Sequence, residues 1–144
     1  MSELKAVVLD DMYTIRRLVR LTLEKRRPPP TIYEGSDGKQ GLALIKEHNP
    51  AIVFVDYQMP AMNGGQFLER AREQNFEGVI IVLTAEEKRV VEELLRTYDA
   101  RYLRKPSDMK DEKVAAAFEK IVHQYTDGAA GRLLRRGHSF RSAV

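Results

Sequence analysis

The sequence predicts an α/β fold, a doubly wound parallel sheet of five strands with helices on both faces. Short apolar runs alternate along the 144 residues with longer stretches whose apolar residues recur at helical spacing. Several of the runs are apolar at every position, which is typical of strands buried on both faces. Because such strands alternate with helices, and crossovers between parallel strands are right-handed, the pattern favours one doubly wound domain.

The first three elements lie in the N-terminal quarter of the chain. Residues 4–9 are apolar apart from Lys5 and predict a buried strand. A helix is predicted over residues 12–27, and residues 28–30 end it because all three are proline, which has no backbone N–H. Residues 31–34 are mostly β-branched or aromatic and suit a short second strand.

The middle of the chain repeats this alternation. A helix is predicted over residues 37–49, where Pro50 ends it. The third strand is residues 51–55, and a loop rich in Pro, Asn and Gly connects it to a helix over residues 66–75. The fourth strand is residues 79–83, which are again apolar throughout.

The last three elements bring the prediction to five strands and five helices. Apolar spacing indicates a helix over residues 86–98, a short strand over residues 101–104 and a final helix over residues 108–125. The helical residues expected to pack inward are Ile15, Leu18, Val19, Thr22, Leu42, Leu44, Ile45, Phe67, Leu68, Ala71, Val90, Val91, Leu94, Leu95, Tyr98, Val114, Phe118, Ile121, Val122 and Tyr125.

Composition and charge exclude several classes of protein. The absence of cysteine excludes disulfides, thiol catalysis and cysteine-ligated metals, and it fits a cytoplasmic protein. The longest apolar runs have five residues, too few for membrane insertion, and the N-terminus lacks the pattern of a signal peptide. Residues 1–125 carry 20 basic and 20 acidic side chains, so we do not expect a nucleic-acid partner.

The distribution of charge divides the chain into two parts. We predict a neutral body over residues 1–125 and a basic, flexible C-terminal tail over residues 126–144. The whole net charge of +3 lies in this tail, and residues 126–131 have the Gly and Ala content of a linker. A partner-binding segment and a linker to an output domain outside this chain are the alternatives.

Polar side chains follow four of the predicted strands. Asp10 and Asp11 end the first strand, Asp56 the third, Thr84 the fourth and Lys105 the fifth. Because the carboxyl ends of parallel strands share one edge of a sheet, we expect these side chains to form one pocket. Taken singly, Asp11 and Thr84 also suit helix caps, and Lys105 suits an ordinary surface position. Their coincidence at four strand ends favours a site.

Three carboxylates in one partly buried pocket require compensating positive charge. Lys105 supplies one charge, and a hard divalent cation suits the oxygen ligands, with Mg²⁺ as the first candidate and Mn²⁺ as the second. A carboxylate beside a metal ion and an ammonium group is well placed to attack phosphorus. The attacking carboxylate then becomes an acyl phosphate.

Five short motifs follow one another along the chain. They are VVLDD at 7–11, VFVDYQMP at 53–60, MNG at 62–64, LTA at 83–85 and YLRKP at 102–106. Together they resemble the receiver domain of bacterial two-component response regulators, of the chemotaxis-regulator type. The resemblance covers residues 4–125 and implies the flavodoxin-like strand order 2-1-3-4-5. It also implies a phosphoprotein of phosphorelay signal transduction.

The resemblance assigns roles to the acidic strand ends. It implies that Asp56 is the phosphoacceptor and forms an aspartyl phosphate. Asp10 and Asp11 hold Mg²⁺ together with Asp56 and the backbone carbonyl of Gln58. Lys105 is the charge partner of the phosphoryl group.

The resemblance also implies a conformational switch. Thr84 is the hydroxyl that moves to meet the phosphoryl group, and Tyr102 is the aromatic side chain that turns inward with it. The switched surface is the face formed by the fourth helix, the fifth strand and the fifth helix. Gln58 and Glu86 lie two residues after Asp56 and Thr84, at positions that tune the rate of hydrolysis in this family.

The implied partners are a histidine kinase or histidine phosphotransferase and a downstream protein that the sequence does not identify. The donor docks beside the pocket, where Ile15, Leu18 and Pro106 are the candidate contacts. The bond between Lys105 and Pro106 matches one that is cis in the family. One departure is Asp99, which occupies the place of a usual glycine before the last strand, so that turn is expected to differ.

Three alternatives remain beside a stand-alone receiver. An aspartate-nucleophile phosphatase has a second Asp two residues after the nucleophile as general acid, but Gln58 stands at that position here. A flavodoxin-like electron carrier has a different first loop, since Asp10 and Asp11 would repel a flavin phosphate. A receiver fragment of a larger regulator fits the same residues. Whether the chain is a stand-alone receiver or a receiver fragment, we expect self-catalysed phosphoryl transfer and autodephosphorylation without turnover of small molecules.

Overall fold

A computed structural model describes residues 3–143 of the chain and the side chains of residues 3–135. In this part of the chain, five strands alternate with five helices. The strands are β1 (Lys5–Leu9), β2 (Thr31–Gly35), β3 (Ile52–Asp56), β4 (Val79–Thr84) and β5 (Arg101–Arg104). The helices are α1 (Tyr13–Glu24), α2 (Gly38–His48), α3 (Gly64–Glu73), α4 (Lys88–Tyr98) and α5 (Glu112–Ala143).

The five strands form one sheet in the order β2-β1-β3-β4-β5, and every neighbouring pair is parallel. The predicted doubly wound, flavodoxin-like fold is therefore confirmed. Because all strands run in one direction, Leu9, Asp56, Thr84 and Arg104 end their strands at the same side of the sheet. We call this side the carboxyl edge.

The sheet separates the hydrophobic core into two layers, because successive side chains of a strand point to opposite faces. Val7 and Val53 pack on the face covered by α2, α3 and α4. Val8 and Phe54 pack on the opposite face against α1 and α5. Both faces of the central strands are thus dry, which explains why these strands are apolar throughout. No helix in the described residues combines the length and the apolar character needed to cross a membrane.

Two details of the helices differ from the sequence prediction. α1 ends at Glu24, three residues before Arg27, whose helical conformation is disfavoured by the following Pro28. Val90 and Ile121 were expected to pack inward, but they are 49% and 37% exposed. α4 buries a narrow stripe through Val91 and Leu95, and Val90 lies on the neighbouring, solvent-facing side.

The turn between α4 and β5 depends on an arginine of α3. Asp99 ends α4 with φ of 51°, a left-handed conformation in which a glycine would be less strained. The Arg72 guanidinium donates hydrogen bonds of 2.8–3.0 Å to the carbonyls of Phe76, Gly78, Tyr98 and Asp99. Arg72 therefore ties the turn before β5 to the turn before β4.

The predicted linker at residues 126–131 is wrong, because α5 continues through it without a break. Thr126 and Ala129 are 0% and 1% exposed and extend the inward stripe that Val122 begins. Arg26, just beyond α1, pairs with Asp127 at 2.8 Å. The Gly and Ala content had suggested a flexible chain, but burial against α1 and the sheet outweighs the weak helix propensity of glycine.

The basic end of the chain is therefore helical and only partly separate from the body. Arg132 donates a hydrogen bond to the carbonyl of Glu77 at 3.2 Å, so this turn of α5 lies near the start of β4. The side chains of Arg136 and Arg141 lie outside the described residues. The division of the chain at residue 125 into a receiver and a functionally separate tail stays a prediction.

We expect a chain that ends at Tyr125 to be less stable than the full chain. The cut removes the buried Thr126 and Ala129 and the Arg26–Asp127 ion pair. The cost in free energy of unfolding should be on the order of 1–2 kcal/mol, because it exposes apolar surface on α1. Thermal unfolding followed by circular dichroism measures the difference.

A chain that ends at residue 135 is the control, since it keeps these contacts. Its melting temperature should be closer to that of the full chain than to that of the chain ending at Tyr125. Equal stability of the chains ending at residues 125 and 135 would show that the extension of α5 contributes nothing to the fold.

Candidate functional site

β1 ends at the carboxyl edge in an acidic turn. Asp10 is fully buried, and its backbone N–H donates to the carbonyl of Gly35 at 3.1 Å, which extends the pairing with β2 by one residue. Its Oδ1 accepts the N–H of Met12 at 2.8 Å. Asp11 lies exposed in this turn. It does not cap α1, whose N-cap position is Met12 and carries no side-chain cap.

Asp56, at the end of β3, is held by its own loop. It is 3% exposed, and its Oδ1 accepts the N–H of Gln58 at 3.1 Å. The loop folds back on the strand, since the N–H of Gly64 donates to the carbonyl of Tyr57 at 2.8 Å. A Cβ on Gly64 would lie 2.8 Å from the Cα of Tyr57, so this close approach requires glycine.

Lys105 lies between two of the carboxylates. Its Nζ is 3.1 Å from Asp10 Oδ2 and 3.2 Å from Asp56 Oδ2. Its backbone N–H donates to the carbonyl of Thr84 at 2.7 Å, which holds the lysine at the carboxyl edge. The strand ends therefore bring Asp10, Asp56 and Lys105 together as the sequence predicted.

The acidic cluster, defined as Asp10, Asp11 and Asp56, fits a divalent cation. One carboxylate oxygen from each residue lies within 4.8 Å of the others. Among the described side chains, Asp10 Oδ2 is buried without a hydrogen-bond partner of regular geometry, although Lys105 Nζ is close. Carboxylate oxygens without a full set of donors are the ligands that Mg²⁺ and other hard cations prefer.

Burial and neighbouring charges shift the pKa values of Asp56 and Lys105. Burial, and then the negative charge of Asp10, raises the pKa of Asp56 to about 6, although Lys105 and the N–H of Gln58 oppose the shift. Burial lowers the pKa of Lys105, but the contacts with Asp10 and Asp56 outweigh burial and leave it raised. Lys105 therefore stays charged while Asp56 gains a proton more readily than an exposed aspartate.

Thr84 and Tyr102 both form a hydrogen bond with the backbone of Glu86. Thr84 is 2% exposed, and its Oγ1 accepts the N–H of Glu86 at 3.1 Å. It does not cap α4, whose N-cap position is Glu87. The Tyr102 hydroxyl donates to the carbonyl of Glu86 at 2.5 Å, and the Tyr125 hydroxyl donates to the carbonyl of Tyr102 at 2.7 Å.

A cleft opens over the acidic cluster, and some of the residues that line it had no predicted role in the site. Gln58 lines it as expected, and Met12 and Asn63 are additions. Asn63 caps α3 in a reciprocal pair with Gln66, a pattern visible in the sequence as Asn followed three residues later by Gln. The lining residues are Asp11, Met12, Asp56, Tyr57, Gln58, Met59, Pro60, Asn63 and Lys105.

The three candidate docking residues do not form one exposed surface. Ile15 and Leu18 are half-buried and pack against the core layer of α1 and α5. Pro106 lines a separate groove between β5 and α5. The exposed apolar side chains near the cleft are instead Met12 and Tyr13, at 51% and 61%.

The expectation of a cis bond between Lys105 and Pro106 is wrong. Among the described residues the cis peptide bond lies between Arg27 and Pro28, and the bond before Pro106 is trans.

Comparisons with known proteins agree on one family. The chain matches the model of the response regulator receiver domain over residues 6–117. It is similar to the nitrate/nitrite response regulator protein NarL of Escherichia coli strain K12, with 32% identity over 130 residues. That match covers 89% of this chain and 56% of NarL, so the chain spans little more than half the length of this relative.

Solved structures show the same likeness. The receiver domain of the Francisella response regulator 1452 has a TM-score of 0.69 and 25% identity, covering 87% of this chain and 98% of that one. The Vibrio cholerae chemotaxis protein CheY4 has a TM-score of 0.67 and 25% identity, covering 76% of this chain and 92% of that one.

The raised pKa of Asp56 leads to a prediction about stability without metal. Ionised Asp56 disfavours the folded state above pH 6, whereas below about pH 4 it is protonated in both states. Asp56→Asn should therefore stabilise the chain at pH 7–8 in chelator, by on the order of 1 kcal/mol. The gain should shrink as the pH falls from 6 to 4. Thermal unfolding of both proteins across this range measures it.

Asp99→Asn is the control, because asparagine tolerates the left-handed conformation of that residue. A hydrogen bond from Arg101 lowers the pKa of Asp99, so its loss should not stabilise the chain at any of these pH values. A stabilisation by Asp56→Asn that is the same at pH 4 and pH 8 would contradict the charge argument.

Proposed function

The chain belongs to the response regulator receiver family, which confirms the resemblance seen in its five motifs, and we propose that Asp56 accepts a phosphoryl group from a phosphohistidine. The observation that carries the proposal is the acidic cluster with Lys105 at the carboxyl edge. A buried carboxylate 3.2 Å from an ammonium group and beside two further acids is suited to a transferring phosphoryl group.

The proposed reaction uses the carboxylate of Asp56 as the nucleophile. An oxygen of Asp56 forms a bond to phosphorus, the phosphorus–nitrogen bond of the donor breaks, and the imidazole leaves with the electron pair. Lys105 Nζ offsets negative charge on the phosphoryl oxygens. The raised pKa of Asp56 has a consequence here, because the nucleophile must be ionised and positive charge in the site favours that form.

The acidic cluster would hold Mg²⁺, with Mn²⁺ as a second candidate, through Asp10, Asp11, Asp56 and the carbonyl of Gln58. A bound divalent cation would neutralise charge on the transferring phosphoryl oxygens. The residues of this chain provide the geometry: the turn after β1 presents two carboxylates, and the loop after β3 holds Asp56 against Gln58.

We assign the switch to Thr84 and Tyr102. In the present structure the Thr84 hydroxyl is occupied by the N–H of Glu86, and the Tyr102 hydroxyl by the carbonyl of Glu86. Movement of Thr84 toward a phosphoryl group would release the first contact and disturb the second. The change would then reach the face made by α4, β5 and α5, through which a downstream protein would read the phosphorylated state. Glu86 and Gln58 are the residues proposed to tune hydrolysis of the aspartyl phosphate.

The partners proposed for this chain are a histidine kinase or histidine phosphotransferase and a downstream protein, in the cytoplasm. Ile15, Leu18 and Pro106 remain the proposed donor contacts. The phosphatase alternative gains no support, because the residue two positions after Asp56 is an exposed glutamine that cannot protonate a leaving group. The chain spans 56% of NarL, so an output domain belonging to a longer regulator is a further proposal.

Phosphorylation should occur at Asp56 and require a divalent cation. Incubation with phosphoramidate and Mg²⁺ should add one labile phosphoryl group, read by intact mass because the chain has no tryptophan to report binding. Asp56→Asn should abolish the label, and chelator should abolish it in the wild type.

Asp37→Asn is the matched control, because Asp37 caps α2 near the same edge and asparagine caps equally well. This variant should label like the wild type. Labelling of Asp56→Asn, or labelling indifferent to chelator, would defeat the assignment.

Thr84→Ala should separate phosphorylation from switching. Asp56 should still accept the phosphoryl group, more slowly, because Thr84 is not the nucleophile. The Tyr102 ring should no longer respond to occupation of the site, since the Thr84 hydroxyl that links the ring to the site is gone. Fluorotyrosine NMR of Tyr102, with and without beryllofluoride, measures the response.

Tyr33 is the internal reference, because its ring stacks on His48 away from the cluster and should not shift. An equal response of Tyr102 in the wild type and in Thr84→Ala would remove Thr84 from the switch.

A further inference from the structure

Arg16 reaches back from α1 to the acidic turn. Its Nη1 donates a hydrogen bond of 2.6 Å to the backbone carbonyl of Asp10. The Arg16 side chain is 18% exposed, so most of it is covered. Because the N–H of Asp10 is bonded to Gly35 of β2, the backbone of Asp10 is fixed on both sides.

Arg16 is itself held by the second strand. Its Nε lies 3.4 Å from Glu34 Oε1, while Glu34 Oε2 accepts a hydrogen bond of 2.5 Å from Arg20 Nε. Arg20 in turn donates to the carbonyl of Ile32 at 3.2 Å. Glu34 therefore anchors two arginines of α1 to β2, and Arg16 extends this anchor to the end of β1.

The geometry points to Arg16 as a positioning residue for the cation site, acting through the peptide unit between Asp10 and Asp11. This inference rests on the proposed function of the acidic cluster. A peptide unit is planar, so a fixed Asp10 carbonyl also fixes the nitrogen and Cα of Asp11. Among the described residues, no hydrogen bond or ion pair holds the exposed Asp11 side chain. Its placement in the cluster therefore depends on its backbone.

An arginine suits this position for a geometric reason. The planar guanidinium presents several donors in fixed directions, so one edge can hold Glu34 while another holds the Asp10 carbonyl. A lysine has the same charge but a single donor group, and it cannot span both partners with the same geometry. Charge and positioning can therefore be separated by substitution.

Arg16→Met should raise the dissociation constant for Mg²⁺ about tenfold, the size of effect seen when groups that orient metal ligands are removed. Arg16→Lys should recover only part of the affinity. The measurement is the melting temperature over a series of MgCl₂ concentrations at constant ionic strength, since a ligand that binds the folded state raises it by mass action. This readout does not depend on phosphorylation.

Arg17→Met is the matched control, because Arg17 is the exposed neighbouring arginine on the same helix. It should bind Mg²⁺ like the wild type. Glu34→Gln should weaken Mg²⁺ binding in the same direction as Arg16→Met and to a smaller extent, because Arg16 loses its anchor but keeps its bond to Asp10.

A double-mutant cycle with Asp11→Ala distinguishes positioning from a general effect of Arg16. If Arg16 acts by placing Asp11, Arg16→Met should change the Mg²⁺ affinity less than about twofold once Asp11 is alanine. The same tenfold loss in both backgrounds would overturn the proposal, as would wild-type affinity in Arg16→Met. Failure of the wild type to label at Asp56 would instead refute the proposed function, whatever the Mg²⁺ affinities are.

Discussion

The burial of two neighbouring carboxylates at one edge of the sheet is the constraint on which the site depends. Asp10 and Asp56 are both buried, and Lys105 is the ammonium group that approaches each of them closely. One positive charge does not balance the acidic cluster, and the pKa of Asp56 is raised by burial first and by the negative charge of Asp10 second. The folded chain thus carries a local electrostatic cost that binding of positive charge, or transfer of a proton, relieves. Under the proposed function, a cation bound at the acidic cluster would relieve this cost.

The rest of the fold keeps these carboxylates in place. Two apolar core layers hold β1, β3 and β4 from both faces, so the strand ends cannot move apart to relieve the repulsion. Hydrogen bonds then fix the acidic residues individually: the Asp10 N–H donates to the carbonyl of Gly35, and Asp56 Oδ1 accepts the N–H of Gln58. The strands determine where the acidic residues lie, and the short turns after the strands determine how their side chains are oriented, as expected in parallel α/β proteins.

The sequence predicts the features that depend on periodicity and on strand ends. Continuous apolar runs predict strands buried on both faces, and the residues after them predict the acidic cluster with Lys105. Features that depend on long-range contacts of polar side chains are not predictable in this way. Arg72 bonds to four carbonyls of two separate turns, and Arg16 bonds to a carbonyl six residues before it, and neither contact has a local signature. The extension of α5 was missed because Thr126 and Ala129 become core residues through tertiary packing, which the Gly and Ala content of residues 126–131 does not reveal.

The length of the unbroken α5 has a geometric consequence for the C-terminal end of the chain. A helix of 32 residues is about 48 Å long at 1.5 Å per residue. A flexible tether would convey only proximity to whatever it carried, whereas a helix seated on α1 conveys direction as well. A protein fused or docked at the far end of α5 would be held at a set angle to the sheet. A tilt of a few degrees where α5 packs beside β5 would displace the far end of the helix by several ångströms, as at the end of a lever.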